Sequence, residues 1–198
     1  MNTKSITLIA VFAAIAIILN AIRIPSIYYL GFFYALYDIP VLVAFIIYGF
    51  KIGFLVEVIH IMGQEIFFPT GPAAVVIYPF GLVIHAFMFL GIYVAFKIIQ
   101  RKRAAGNFVG EKKGIIYSTG LATALRGGLM PFIDYLILYN IVLPLALGVS
   151  IPQSYILTLV PAFIVYNITS TLYAVPIAYL TATKTSKYLK IKAKYLPA

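Results

Sequence analysis

The residues of this chain that could do chemistry are polar groups inside strongly apolar segments. The clearest set has the spacing i, i+3, i+7 and i+8 and consists of Glu57, His60, Gln64 and Glu65. That spacing places the whole set on one stripe of a helix. Ionisable groups inside an apolar span are costly and are therefore functional candidates. The stripe predicts one wall of a polar ligand cavity, with Gln64 and Glu65 as contacts. The alternative is hydrogen bonding between helices, with Glu57 near the cytoplasmic headgroups.

A second polar stripe, made of neutral groups, lies near the end of the chain. Its positions i, i+3, i+4 and i+7 hold Asn167, Ser170, Thr171 and Ala174. Small polar faces of this kind often serve only as contacts between membrane helices. Asn167 is the member that we predict to contact a ligand.

Three other ionisable groups stand alone in apolar surroundings. Arg126 and Asp134 are separated by roughly 12 Å of helical rise, and they can pair with each other or with the glutamates of the first stripe. We predict ligand contact for Asp134, with a structural ion pair as the alternative. His85 follows Gly81 at i+4 and is either a ligand contact or a packing residue. The aromatic stretch Tyr28–Tyr37 is either a lid over a flat ligand or an interfacial belt.

The composition says where these groups must reside. The chain has 198 residues, of which 63% are hydrophobic and 10% charged, with a mean hydropathy of +1.04. A soluble domain has about 25% charged residues, so these charges are too few to cover that much apolar surface. The sequence therefore predicts an all-α integral membrane protein of the cell membrane, a single domain over residues 1–198.

Six apolar spans are predicted along the chain. Their bounds are Ile6–Ile22, Ile39–Tyr48, Ile52–Phe68, Ala73–Ile99, Ile115–Leu147 and Ser154–Leu180. A tight turn at Gly49–Gly53 separates the second from the third, because one helix through Lys51 would be too long for one crossing. Pro131 and Pro144 predict a kink in the fifth span.

The net charge of +10 is distributed very unevenly over these spans. With six crossings, every Lys and Arg except Arg23 and Arg126 falls on the side of the two termini, concentrated in the basic loop 100–114 and the basic tail 184–198. The positive-inside rule makes that side cytoplasmic. The basic residues are thus topology signals first and a surface for partner subunits or membrane lipid second. Nucleic acid is not expected as a partner.

Several function classes lack their motifs. The chain has no cysteine, and its two histidines do not have zinc-ligand spacing, so we expect neither a metal nor a cofactor. It has no phosphate-binding loop, no His-Glu metal motif and no convincing nucleophile–base pair, so an enzyme is not expected. A proton-driven secondary transporter would use Glu57, Glu65, Asp134 and His60 as a relay, although no inverted repeat of discontinuous helices is evident.

Three stretches resemble a known family. One is YDIPVLVAFIIYGFKIGFLVEVIH (Tyr37–His60), which resembles the pattern D-x-P-A-L-x-x-G-F-x-x-G-P-x-x-G-x-x-V-E found in the substrate-binding S-components of energy-coupling-factor (ECF) vitamin transporters. RGGLMPFIDYLILYNIVLPL (Arg126–Leu145) is similar to the R-x-x-x-M-x-x-x-N-Y-x-x-L-x-P pattern of the riboflavin-binding members. VPAFIVYNITS (Val160–Ser170) occupies the place of P-F-N-x-x-K-G. Asp134 stands where the riboflavin type has asparagine, and Tyr166 where it has lysine.

The resemblance implies six helices with both termini inside and high-affinity capture of a vitamin, most simply riboflavin, at the outer half of the bilayer. Riboflavin would be the transported ligand; thiamine, biotin and pantothenate are the alternatives. It also implies a transmembrane coupling subunit, contacted through Ala10 and Ala14, and two partner ATPases. The predicted ligand contacts are Asp38, Gln64, Glu65, His85, Asp134, Tyr166 and Asn167.

Overall fold

The computed structural model describes residues 3–26, 33–69, 74–148 and 150–196, most of which are helical. The elements, in chain order, are α1 (Thr3–Asn20), β1 (Arg23–Pro25), β2 (Phe33–Ala35), α2 (Asp38–Tyr48), α3 (Phe50–Phe67), α4 (Ala74–Ala104), α5 (Glu111–Ile133), a π-helical segment (Asp134–Val142), α6 (Leu143–Leu147) and α7 (Gln153–Tyr188). The predicted helical architecture is confirmed, and the helix bounds lie within a few residues of the predicted spans except where α4 and α7 continue into the basic segments.

Within the described residues, four helical stretches are long and apolar enough to cross a membrane: Thr3–Asn20, Ile77–Ala104, Glu111–Leu147 and Gln153–Tyr188. Large apolar side chains on them, such as those of Ile18 and Leu145, are exposed, as expected of a surface that meets lipid. Helix α2 is not among these stretches because it has only 11 residues. Helix α3 is not among them because it contains three charged residues, Lys51, Glu57 and Glu65. The six-span count and the position of the termini therefore stay predictions.

The helix ends meet at two opposite ends of the bundle. Arg103 of α4, Glu111 of α5 and Ser186 of α7 surround one cavity, and the chain after α7 returns to the last turn of α2 at Ile47. We call this the basic end, because it contains the loop and tail rich in lysine and arginine. The other end, which carries β1 and β2, is the hairpin end.

Helix α2 forms the centre of the core. Every residue from Pro40 to Ile47 is buried, and the helix packs against α1, α3, α4 and α7. A helix enclosed on all sides needs no polar face, which explains why this segment is uniformly apolar after Asp38.

The turn between α2 and α3 is tighter than predicted. Only Gly49 is outside a helix, and its φ of +93° lies in a region that glycine alone adopts readily. Gly53, predicted as part of the turn, is instead inside α3. A Cβ added at Gly53 would lie 2.8 Å from the Phe45 Cα atom, so this glycine permits close approach of α2 and α3.

The fifth predicted span is one continuous helical run with a change of winding. It extends through Glu111–Leu147, and the residues from Asp134 to Val142 are π-helical. Pro131 and Pro144 flank this segment. Because proline has no N–H, the regular i to i−4 hydrogen bonds are interrupted on both sides.

The segment between α1 and α2 contains the strands β1 and β2. β1 and β2 pair antiparallel, with Arg23 opposite Ala35 and Pro25 opposite Phe33. Ile24, Phe33 and Tyr34 are of the β-branched and aromatic types that are enriched in strands. Half of the predicted aromatic lid, residues 28–32, lies outside the described residues.

The basic tail is not simply a solvated segment, because it packs against α2. Its first part continues α7 to Tyr188. Beyond that, the N–H groups of Lys194 and Tyr195 donate to the carbonyls of Ile47 and Ile46, both at 2.9 Å, and satisfy acceptors at the end of α2. The Tyr195 ring lies 4.7 Å from the Phe45 ring, centroid to centroid. The tail is therefore part of the core.

Candidate ligand-binding site

The centre of the bundle contains a network of charged and polar side chains contributed by five helices. Its members are Asp38, Glu57, His60, His85, Arg126 and Asn167, and none has more than 3% of its surface exposed. We call this set the buried polar network. A buried charge is tolerated only when it is paired and hydrogen-bonded, so the pairing identifies the role of each member.

Arg126 joins three helices. Its Nη1 lies 3.1 Å from Oδ2 of Asp38, and its Nε donates to Oδ1 of Asn167 at 3.0 Å. Nη1 also contacts Sδ of Met88 at 3.3 Å. The partner of Arg126 is therefore the first residue of α2, and the glutamates of α3, predicted as possible partners, are not among its ion-pair contacts in the described part of the chain.

His85 lies between the two buried carboxylates. Its Nδ1 is 3.0 Å from Oε1 of Glu57, and its Nε2 is 3.4 Å from Oδ1 of Asp38. The second distance suits an ion pair but lacks hydrogen-bond alignment. A doubly protonated imidazole can face both carboxylates. Its charge, with that of Arg126, would balance Asp38 and Glu57.

Glu57 also holds His60. Oε2 of Glu57 lies 3.2 Å from Nδ1 of His60, while the Nε2 atom of His60 has no hydrogen-bond partner. The Tyr37 ring stacks on His60, with the centroids 4.1 Å apart. Glu57 is therefore a central member of the network, and its contact with His85 of α4 matches the hydrogen bonding between helices that was the alternative interpretation of the stripe.

The hairpin is fastened to α7 next to this network. The Tyr166 hydroxyl donates to the carbonyl of Phe33 at 2.9 Å, and the Tyr34 and Tyr166 rings stack with centroids 5.7 Å apart. Thr169 adds a hydrogen bond of 3.0 Å between its hydroxyl and that of Tyr34. The described part of the aromatic segment therefore packs against α7 around Tyr166 and Thr169.

The second polar stripe faces inward, as its spacing predicted. Asn167, Ser170, Thr171 and Ala174 are all buried. Asn167 also donates from Nδ2 to the Phe163 carbonyl at 2.9 Å. Both the oxygen and the nitrogen of its side-chain amide are thus hydrogen-bonded within the protein, and Asn167 positions the Arg126 guanidinium.

The remaining predicted contacts divide into two groups. Asp134 begins the π-helical segment, is partly exposed, and lies beside Asn167 and within electrostatic reach of Arg126. Gln64 and Glu65 lie in the last turns of α3, outside the buried polar network. Oε1 of Glu65 is buried with no hydrogen-bond partner, so an acceptor remains for a donor from outside the chain.

The predicted ligand residues therefore have different roles. Asp38, His85 and Asn167 are enclosed and paired, so they can orient neighbouring groups and cannot touch a large ligand in this conformation. Asp134, Tyr166 and Glu65 are partly exposed toward the hairpin end. Arg126, Glu57 and His60 were recognisable as polar residues in apolar spans, but Asp38 is 88 positions from Arg126 and no sequence spacing predicts that pair.

The predicted partner contacts lie on helix α1. Ala10 and Ala14 are exposed on α1, whose buried side consists of Ile9, Ala13, Ala16 and Asn20. Among the residues that the structure describes, no group of three or more His, Asp or Glu side chains is arranged to hold a metal ion.

The fold has a counterpart among solved structures. The chain matches the protein described as "Structure and mechanism of the S component of a bacterial ECF transporter" with a TM-score of 0.72 and 20% sequence identity, over 96% of this chain and 99% of that one. No protein-family model and no curated protein matches the sequence. The chain thus has the fold of an ECF transporter S component along nearly its whole length.

Proposed function

We propose that this chain is the membrane-embedded capture subunit of an ECF-type, ATP-driven vitamin importer, and that its ligand is riboflavin or a related flavin. The observation that carries the proposal is the match to an S component over nearly the complete length of both chains. Because one fold can serve many functions, the ligand must be argued from the site.

A flat, aromatic ligand with polar edges suits the hairpin end. Tyr34 and Tyr166 already stack there, and the Tyr139 and Phe163 rings stack 5.2 Å apart close by. Aromatic faces of this kind favour another planar ring. Asp134 and Glu65 supply carboxylate acceptors for the N–H and O–H groups of such a ligand.

The buried polar network positions the helices that form this site. It fixes α2, α3, α4, α5 and α7 relative to one another through paired charges that are inaccessible to solvent. A ligand site needs its contacts held to a fraction of an ångström by a second layer of interactions. We assign this positioning role to Arg126 and Glu57.

Energy coupling would come from partner proteins. The chain has no phosphate-binding loop of the GxxxxGK[ST] type, so two ATPase subunits and a transmembrane coupling subunit would provide it. Ala10 and Ala14 form an exposed small-residue surface on α1, and such surfaces allow another helix to approach closely.

Flavin fluorescence provides the direct test. Titration of the detergent-purified chain into riboflavin should quench the fluorescence with nanomolar affinity. Asp134→Ala should weaken binding by about tenfold, the value of one hydrogen bond to a charged group. Asn140→Ala is the matched control, because Asn140 is exposed in the same π-helical segment, and its affinity should stay within about twofold.

Three outcomes would change the proposal in different ways. Tight binding of thiamine, biotin or pantothenate without flavin binding would make the ligand wrong and leave the capture role. Binding of none of these vitamins would contradict the capture role. An Ala14→Trp variant that still binds riboflavin and still supports uptake with its partners would contradict the assigned coupling surface.

Proton-coupled transport is the second candidate, favoured by one observation. His60, Glu57, His85 and Asp38 form a chain of titratable side chains with contacts of 3.0 to 3.4 Å, an arrangement that can relay protons. Riboflavin uptake into liposomes that contain this chain alone, driven by an imposed proton gradient, would favour this candidate over the ATP-driven importer.

A further inference from the structure

The basic end contains a cavity of about 350 Å³ between α4, α5, α7 and the tail. Its cations are Arg103, Lys187, Lys190 and Lys192, and its acid is Glu111. The lining therefore carries four positive groups against one negative group. This excess distinguishes the cavity from the buried polar network, in which two carboxylates face one arginine and two histidines.

Two buried hydroxyl groups of the cavity lining lack hydrogen-bond partners. Tyr179 is 1% exposed and Ser186 is 8% exposed, and neither the Tyr179 Oη atom nor the Ser186 Oγ atom has a partner. Buried polar groups are nearly always satisfied, and each one left unsatisfied costs about 1–3 kcal/mol. A lysine-rich surface that served only as a topology signal would not require buried hydroxyls.

Tyr179 and Ser186 are separated by 7 positions, which places them on the same side of α7. Lys190 follows the end of α7 and lines the same cavity. The cavity is thus lined by two hydroxyl donors and this ammonium group. Such a set matches the oxygen atoms of an anion.

The chain beyond α7 has an uncommon backbone conformation where it lines one side of the cavity. Lys190 has a φ of +52°, the left-handed position that usually belongs to glycine after a helix. The N–H of Ile191 then donates to the Ser186 carbonyl at 3.0 Å. This turn brings Lys192 over the cavity, while Lys194 continues to α2.

The start of α5 adds to the attraction for an anion. Its N-cap is Gly110, which makes no side-chain capping hydrogen bond. The first N–H groups of a helix carry a partial positive charge. Glu111 meets part of this charge, and three cations remain in excess.

We propose that this cavity is a binding site for a phosphate group, held by the hydroxyls of Tyr179 and Ser186 together with Arg103 and the lining lysines. The phosphate has two possible sources: the headgroup of an anionic lipid in the adjacent leaflet, or a free phosphate compound in solution. The site is at the end opposite to the hairpin and does not depend on the function proposed for the hairpin end.

The test uses the full chain, delipidated in a neutral detergent. Binding of dioctanoyl phosphatidylglycerol and of glycerol 3-phosphate is measured by native mass spectrometry and by the shift of the thermal unfolding midpoint. Tyr179→Phe should weaken binding by about tenfold, since it removes one charge-assisted hydrogen bond. The same variant should be as stable as the parent without ligand, or more stable, because it removes an unsatisfied hydroxyl.

A pair of double variants separates a built site from a basic surface. Lys187→Gln with Lys192→Gln removes two lining cations and should weaken binding by about 30-fold. Lys112→Gln with Lys184→Gln removes the same charge from exposed positions at the same end that do not line the cavity. This control should stay within about threefold of the parent, from general electrostatics alone.

The outcomes either identify the source of the phosphate group or contradict the proposal. Binding of phosphatidylglycerol but not of glycerol 3-phosphate, with the expected ranking of variants, assigns the site to lipid. Binding of both with that ranking assigns it to the phosphate group itself. Equal loss in the two double variants, an unchanged affinity in Tyr179→Phe, or binding of neither compound would overturn the proposal. Riboflavin titration of each variant reports whether the hairpin end is intact.

Discussion

The buried polar network and the basic end differ in whether their charged groups are paired. In the network, Asp38 and Glu57 face Arg126 and His85, and no member is more than 3% exposed. At the basic end, four positive groups and one carboxylate, that of Glu111, line a cavity open to solvent. Burial accounts for the difference: a charge out of reach of water must be paired, whereas solvated like charges repel only weakly. The network can therefore hold helices together, and the basic end can receive an anion.

The largest expected effect is at the network. Arg126→Met leaves the Asp38 carboxylate buried without its partner and should lower the free energy of unfolding by about 3–5 kcal/mol. Arg101→Met is the control, since Arg101 is exposed near the end of α4. The measurement is unfolding of the purified chain in detergent. A double variant with Asp38→Asn should recover part of the loss; equal stability of the Arg126 and Arg101 variants would show that the pair contributes nothing.

The next effect separates two glutamates of one helix. Glu57→Gln weakens contacts to both His60 and His85 and should cost about 1–3 kcal/mol of stability. Glu65→Gln should leave stability nearly unchanged, because Oε1 of Glu65 has no hydrogen-bond partner. Flavin titration should rank the two in the reverse order, with the larger loss for Glu65→Gln. If both measurements rank the variants alike, the division between network and ligand edge is wrong.

A smaller effect tests whether the tail is part of the fold. Gly49→Ala places a methyl group within 2.8 Å of the Lys194 Nζ atom, at a φ of +93°. Gly106→Ala has a similar φ of +82° with open space around it. Backbone strain of about 1–2 kcal/mol is common to both. Only Gly49→Ala should accelerate proteolytic removal of the tail, so equal cleavage rates would contradict tail docking.

The smallest effect is expected at the basic end. Lys187→Gln with Lys192→Gln should change the unfolding free energy of the lipid-free chain by less than about 1 kcal/mol, since exposed charges contribute little. Thermal unfolding at low and high salt is the measurement. A loss comparable to that of Arg126→Met would mean that these lysines have structural partners, and the comparison between the two regions would fail.

Much of the fold was predictable because the relevant signals are local. The apolar runs, the break at Gly49 and the prolines around the π-helical segment are all visible in short windows of sequence. Periodicity also identified the inward faces, since Glu57 with His60, and Asn167 with Thr171, lie on buried stripes as their spacing required. The hairpin and the docked tail were missed, because short strands and irregular segments have weak local preferences.

Sequence alone determined that polar groups lie within apolar helices and that basic residues gather at one end, because composition and spacing are properties of the chain itself. Only the tertiary structure decided the pairing of Arg126 with Asp38, the position of His85 between two carboxylates, and the meeting of Tyr179, Ser186 and the lining lysines around one cavity. These contacts join residues far apart in the sequence, and their geometry depends on how the helices pack.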